Sequence, residues 1–121
     1  MIEPWHTPWA NFVYNILHHE PFDPGAVAWQ LTSKGPLTTA NDALPWIIFG
    51  RDRVKFEAEF PEWRIKKVQL LMPFRYLVSG GVSLRQLMPN WSYPLWKVLE
   101  SVLTPVNRLL AMFAFIQLER Q

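Results

Sequence analysis

The first regular pattern in the chain is a helical one near its start. Apolar residues recur there at intervals of three and four positions, which is the spacing of one helix face; they are Trp9, Phe12, Val13, Ile16 and Leu17. Thr7 suits the N-cap and Pro8 suits the first helical position. The pattern therefore predicts a helix from Pro8 to His19, preceded by the end of a strand at Met1–Glu3 that Pro4 stops.

Four further elements follow from Asp52 onwards. The segment from Asp52 to Phe60 carries apolar residues among charged ones behind a suitable N-cap, which predicts a short amphipathic helix. Trp63 to Met72 is rich in β-favouring residues and predicts a strand with one wetter face. Apolar residues at helical spacing predict a helix from Ser92 to Pro105. The apolar run from Ala111 to Glu119 predicts a strand covered on both faces.

Turn-forming residues separate these elements. The stretch from Pro21 to Pro45 predicts a long loop with one short helical turn near Ala26 to Trp29. Loops of this length inside compact domains tend to be functional covers or binding segments. Ser79-Gly80-Gly81 predicts a turn, after which Ser79 or Ser83 caps a helical piece that ends at Met88.

The composition limits the class of protein. The 121 residues fit one domain, and with half of them hydrophobic and 18% charged most of the chain is expected to fold. The lack of cysteine excludes a disulfide framework, a zinc–thiolate site and a thiol nucleophile, and it indicates a reducing, cytoplasmic location. A formal net charge of +2 is too small for a nucleic-acid-binding surface. The longest apolar run, Leu109–Ile116, is about half of the ~20 residues that a transmembrane helix needs, and the first residues are not those of a secretory signal.

The order of these elements resembles the C-terminal half of class I S-adenosylmethionine-dependent methyltransferases. Glu3-Pro4 resembles the end of the family's fifth strand, and Phe56–Ile65 resembles its last sheet-covering helix running into the sixth strand. Met72–Gly81, with the sequence Met-Pro-Phe-Arg-Tyr-Leu-Val-Ser-Gly-Gly, resembles the variable connection after that strand. Ala111–Arg120 resembles the seventh strand, which is antiparallel to its neighbours in the family.

The resemblance implies an α/β fold, namely the C-terminal portion of a Rossmann-like methyltransferase. We expect residues 1–121 to form a single partial domain, with a small sheet, an antiparallel terminal strand pair and covering helices. In the family the seventh strand lies between the fifth and the sixth, and here the fifth is a stub. One sheet margin is then nearly bare, so we expect self-association through the unpaired edge.

The family's cofactor-binding residues have no counterpart in this chain. Members hold S-adenosylmethionine with a glycine-rich turn after the first strand and an acidic residue that ends the second. Gly80-Gly81 follows no first strand of a parallel βαβ unit and cannot replace that turn. The family implies S-adenosylmethionine as cofactor and a small-molecule acceptor, whose methylated atom is left open as oxygen, nitrogen or carbon. We expect this chain alone to bind no cofactor and to transfer no methyl group.

Several residues are candidates for the acceptor side of such a site. Ligands of open α/β sheets bind beyond the carboxyl ends of strands, where Glu3, Trp5 and His6 are expected. His6 or His19 is a candidate general base that would deprotonate the acceptor, against the alternative of an ordinary loop or helix-end histidine.

The variable connection adds two more substrate-binding candidates, Arg75 and Tyr76. The Arg75 guanidinium suits a carboxylate or phosphate of a substrate, although a plain salt bridge is the favoured interpretation. Adjacent His18 and His19 point about 100° apart on a helix and do not chelate a metal together, so no metal site is predicted. The basic cluster Arg51, Arg53, Lys55, Lys66 and Lys67 has acidic neighbours and is interpreted as a solvated face.

A second class of function remains open on the sequence. The aromatic residues either line an acceptor pocket or pack in the core; they are Trp5, Trp9, Phe12, Phe22, Trp29 and Trp46. If they form an exposed surface, they and the amphipathic Pro94–Leu103 helix would dock on a partner protein or a membrane face. The alternative to an enzyme fragment is thus a non-enzymatic interaction module.

Overall fold

The computed structural model shows a mixed α/β fold built on a small antiparallel sheet. It describes residues 1–17, 21–29, 41–80, 86 and 88–121. The strands are β1 (Ile2–Pro4), β2 (Trp63–Leu71) and β3 (Phe113–Arg120). Their order is β1-β3-β2, and β3 pairs antiparallel with both neighbours. The two outer strands therefore run in the same direction on either side of β3.

Short helices connect the strands. They are α1 (Pro8–Ile16), α2 (Leu44–Trp46), α3 (Arg53–Glu59), α4 (Arg75–Val78), α5 (Tyr93–Val102) and α6 (Asn107–Leu110). A π-helical segment, Ile47–Arg51, joins α2 to α3, and 3₁₀ turns at Asn90–Ser92 and Thr104–Val106 flank α5. No helix among the described residues is long and apolar enough to cross a membrane.

The predicted elements α1, β2 and β3 are present, but the prediction that β3 is covered on both faces is wrong, because only Ala114 and Ile116 of this strand are buried. Thr7 caps α1, because its Oγ1 accepts a hydrogen bond from the Ala10 N–H at 3.1 Å. Pro8 occupies the first helical position as predicted. The helix ends at Ile16 and not at the predicted His19, and Leu17 forms a turn after it. His18 and His19 lie outside the described residues. Each of the two long strands begins and ends within two residues of its predicted bounds.

The predicted long loop is partly wrong. Ala26–Trp29 is irregular rather than helical, and helical structure begins at Leu44 within the stretch assigned to the loop. Pro45 lies in the first turn of α2, where a backbone N–H would have no acceptor within the helix, so proline loses no hydrogen bond there. The residue that marked the end of a loop therefore lies in the first turn of a helix. The part of the predicted loop at residues 30–40 and the predicted helical piece before Met88, apart from Gln86, lie outside the described residues.

Asp52 stands at the N-cap position of α3 without capping it through its side chain. Its carboxylate instead accepts hydrogen bonds from Trp29 Nε1 at 2.9 Å and from the Arg51 guanidinium at 2.8 Å. These bonds hold the pKa of Asp52 far below its usual value. Asp52 thus fixes Trp29, and with it the irregular segment before Trp29, to the start of α3.

The sheet packs its apolar face against residues that follow β1 and precede α3. Ala114 and Ile116 of β3 are buried with Trp5 in one cluster, which Trp46 and Phe49 cover. A second cluster lies around α1 and the start of β3; its buried members are Ala10, Val13, Tyr14, Phe22, Ala43, Ile47 and Met112. The helices between β1 and β2 thus carry most of the core that supports the sheet.

The two edges of β3 are covered unequally. On one side β2 pairs with it along its whole length, from Leu71 opposite Phe113 to Trp63 opposite Arg120. On the other side the backbone of Met1 exchanges hydrogen bonds with Ile116 at 2.8 Å in both directions. Beyond Ile116, no residue in the described part of the chain pairs with that side of β3.

A β-bulge interrupts the pairing of β2 with β3. Ile65 lies opposite Leu118 and Lys67 lies opposite Gln117, so Lys66 is the extra residue. The bulge lets Ile65 and Val68, three positions apart, both face the core.

Gly50 is predicted to be intolerant of a side chain. A Cβ atom there would lie 3.0 Å from the Trp5 ring and 3.1 Å from the Trp46 ring. We expect Gly50→Ala to lower the free energy of unfolding by about 1–3 kcal/mol through overpacking, as measured by urea denaturation. Gly25→Ala is the control, because its Cβ would meet only the Asp23 carboxylate at 3.2 Å, and we expect a change below about 0.5 kcal/mol. Equal losses in the two variants would contradict this packing argument.

Candidate functional site

The segments that follow β1 and β2 meet the start of β3 at one edge of the sheet. The Trp5 N–H donates to the Met112 carbonyl at 2.8 Å, and Thr7 Oγ1 donates to the Ala111 carbonyl at 2.7 Å. Trp9 Nε1 donates to the Pro73 carbonyl at 3.0 Å. The carboxyl ends of β1 and β2 lie at this edge, which we call the carboxyl edge. The candidate site residues were predicted to lie here.

His6 lies at this edge among aromatic rings. Its imidazole centroid is 4.6 Å from that of Trp46 and 6.1 Å from that of Phe22. Partial burial lowers the pKa of His6 below its ordinary value of 6.5, because desolvation disfavours the charged ring. The imidazole is therefore neutral at neutral pH and has a free nitrogen lone pair to accept a proton.

The other two candidates near β1 have different surroundings. Glu3 lies within β1 opposite Ala114 and is half-buried. Trp5 is only 8% exposed, and its ring packs on the sheet with Ala114 and Ile116. Of the two interpretations of the aromatic residues, core packing holds for Trp5.

Arg75, at the start of α4, forms a partly buried ion pair with the buried Glu100. Its Nε donates to Glu100 Oε2, and its Nη1 donates to the Tyr93 hydroxyl at 2.9 Å. Glu100 Oε1 also accepts the backbone N–H groups of Phe74 at 3.1 Å and Arg75 at 2.7 Å. The favoured interpretation of Arg75, a plain salt bridge, is therefore the one observed.

Tyr76 follows Arg75 but faces the core near α1. Its ring meets the Phe113 ring edge-on at 4.8 Å between centroids. It packs against the cluster that contains Tyr14, whose hydroxyl donates to the Met112 carbonyl at 3.4 Å and whose pKa is raised by burial. No hydrogen bond, ion pair or ring contact in the described part of the chain joins His6 to Arg75. The structure thus places the described candidates along one edge, and these residues do not form a closed catalytic cluster.

The remaining predictions concern histidines, metals and basic residues. His19 lies outside the described residues. Among the residues that the structure describes, no group of three His, Asp or Glu side chains could hold a metal ion. Most members of the basic cluster pair with acidic neighbours on the surface, as a solvated face would; the pairs are Arg51–Asp52, Arg53–Glu57, Lys55–Glu59 and Lys66–Glu119.

A cleft beside β2 was not predicted from the sequence. It has a volume of about 470 Å³ and lies between the second half of β2 and the segment from α5 to α6. Lys67, Lys97 and Arg108 line it together with the Arg75–Glu100 pair. These residues are far apart in the sequence, so no local motif could have indicated that they share one cleft.

Comparison of the chain with protein-family models, with curated proteins and with solved structures gives no match.

The lowered pKa of His6 predicts a pH dependence of stability. Because the folded pKa lies below the ordinary 6.5, the neutral ring's contribution is complete above that value and is lost as the pH falls through it. We expect the free energy of unfolding to fall between about pH 7.5 and pH 5.5, and to fall less in His6→Phe, which keeps an aromatic ring beside Trp46. Urea denaturation at both pH values measures this. An unchanged pH dependence in the variant would contradict the assignment to His6.

Proposed function

We propose that this chain is the substrate-side, C-terminal part of a class I S-adenosylmethionine-dependent methyltransferase that acts on a small molecule. The observation that carries the proposal is the strand order β1-β3-β2 with β3 antiparallel to both neighbours. In the family that the sequence resembles, the fifth, seventh and sixth strands take these three positions and directions. An antiparallel last strand between two parallel ones is not what hairpin connections alone would produce.

The bare margin of the sheet also supports this proposal. β1 has only three residues and leaves the end of β3 without a partner on that side. The backbone of Met1 faces β3, so by alternation that of Ile2 faces away from it. Ile2, Phe12 and Ile16, which are 52–63% exposed, are apolar residues of β1 and α1. A further strand and helix of a larger α/β sheet would cover such residues.

The residues present do not fit the methyl donor itself. The chain segment after β1 is Trp5-His6-Thr7, which contains no glycine, and Gly80 follows the short helix α4 rather than a strand. We therefore assign no transfer step to this chain. Its own contribution would be on the acceptor side, where the neutral His6 beyond β1 would take the proton that the acceptor loses.

The proposal predicts how the chain behaves towards the cofactor. We expect isothermal titration calorimetry with S-adenosylmethionine to show no saturable binding to this chain alone. The DNA upstream of Met1 should encode a strand and a glycine-rich turn, in frame or one frameshift away. Co-expression of that product should give a complex that binds S-adenosylmethionine. Saturable micromolar binding by the chain alone, or upstream DNA without such a turn, would refute the proposal.

One variant tests whether the outer side of β1, which faces away from β3, pairs with the upstream product. Ile2→Pro removes the backbone donor that faces away from β3 and should abolish co-purification with the upstream product. Val27→Pro, at an 89% exposed position in an irregular segment, is the matched control and should leave co-purification intact.

A specific observation favours a second function, that of a non-enzymatic interaction module. α5 exposes an apolar stripe whose members include Leu95, Val98 and Val102, at 63%, 62% and 71% exposure. Their spacing places them on one face of the helix, and Leu99 at 43% adds to it. Exposed apolar faces of this kind dock on partner proteins or membrane surfaces.

Flotation with anionic liposomes separates the two functions. Under the methyltransferase proposal the chain stays at the bottom of the gradient. Salt-sensitive flotation that Val102→Ser abolishes would favour the interaction module. Val54→Ser, which changes an 83% exposed valine of α3, is the control and should not alter the result.

A further inference from the structure

The cleft beside β2 has an excess of positive charge. Four basic side chains and one acidic side chain line it, and the acidic one, Glu100, is already paired with Arg75. The other three cations, Lys67, Lys97 and Arg108, form no ion pair with any residue in the described ranges. They come from β2, α5 and α6, so the fold brings three unpaired cations to one cavity.

The same cleft contains a buried acceptor without a partner. Asn107, the first residue of α6, is 8% exposed and lines the cavity. Its Nδ2 donates to the Leu70 carbonyl of β2 at 3.1 Å, which fixes the orientation of the amide. Its Oδ1 has no hydrogen-bond partner among the described residues. A buried acceptor of this kind is costly unless a donor reaches it.

The size of the cavity indicates a small ligand. Its volume of about 470 Å³ is within the range of roughly 300–1,000 Å³ that is typical of small-molecule sites. The three cations favour a ligand with a negative charge, and Asn107 Oδ1 favours one with a hydroxyl or N–H donor. The apolar stripe of α5 plays no part in this cleft, since Lys97, Ser101 and Thr104 of α5 and the turn after it line the cavity from the opposite face.

We propose that this cleft binds a small anion, a carboxylate or a phosphate, that also carries a hydroxyl or N–H donor. Lys67, Lys97 and Arg108 would bind the anionic group, and Asn107 Oδ1 would accept the hydrogen bond from the donor. This site is separate from the surroundings of His6 and does not depend on the methyltransferase proposal.

Matched pairs of ligands test both parts of the proposal. Malate and succinate differ by one hydroxyl, and glycerol 3-phosphate and propyl phosphate differ by two. Equilibrium dialysis of the labelled compounds against the full chain measures binding even where the chain self-associates. We expect saturable binding, weakened by added salt and roughly tenfold tighter for the hydroxyl-bearing member of at least one pair. The preferred pair identifies the anion as carboxylate or phosphate.

Variants locate the binding. Lys97→Gln and Arg108→Gln should each weaken it roughly fivefold or more, because both residues are exposed and their loss should not disturb folding. Arg64→Gln, an exposed arginine of β2 outside the cleft, should leave binding unchanged; circular dichroism checks that all variants fold.

Four results would overturn the proposal. One is the absence of saturable binding by all four compounds, and another is equal affinity within both pairs. The third is an equal loss in Arg64→Gln, which would mean that general surface charge binds the anion. Tighter binding of a polyglutamate peptide than of every small ligand would also overturn it, in favour of an acidic polypeptide partner.

Discussion

The pairing of β3 with strands on both sides is the constraint on which the rest of the structure depends. Its inward residues Ala114 and Ile116 are fully buried, so its register against β2 decides which side chains reach the core. The residues just before β3 also anchor the other segments, because the carbonyls of Ala111 and Met112 accept hydrogen bonds from Thr7 and Trp5. The candidate site at the carboxyl edge therefore exists only while β3 is in place.

A single buried carboxylate organises the other side of the molecule. Glu100 accepts hydrogen bonds from two consecutive backbone N–H groups and from the side chain of Arg75. These bonds fix the connection after β2 to α5, while Trp9 holds the same connection to α1 through the Pro73 carbonyl. The ion pair with Glu100 neutralises the charge of Arg75. The positive charge of the cleft therefore comes from the other, more exposed cations that line it.

Those parts of the fold that depend on neighbours in sequence could be predicted, and those that depend on distant residues could not. Thr7 and Pro8 fix the start of α1 by local hydrogen bonding and a fixed φ angle, and the apolar runs of β2 and β3 fix two strands. Pro45 misled the prediction because the same residue suits a loop end and a first helical turn. Asn107 gave no signal, since its partner Leu70 is 37 positions away in the chain. The order of the strands was expected only through the family resemblance, because periodicity carries no information on which strands pair.

The bulge at Lys66 has a consequence for the evolution of β2. Since Lys66 is the additional residue opposite an uninterrupted β3, a chain lacking it would keep Ile65 and Val68 on the same face with ordinary alternation. The deletion of one codon at this point would therefore be absorbed locally and would not exchange the two faces of the strand. Elsewhere in β2 the same change would turn apolar side chains towards water, so tolerance of length variation should be concentrated at this position.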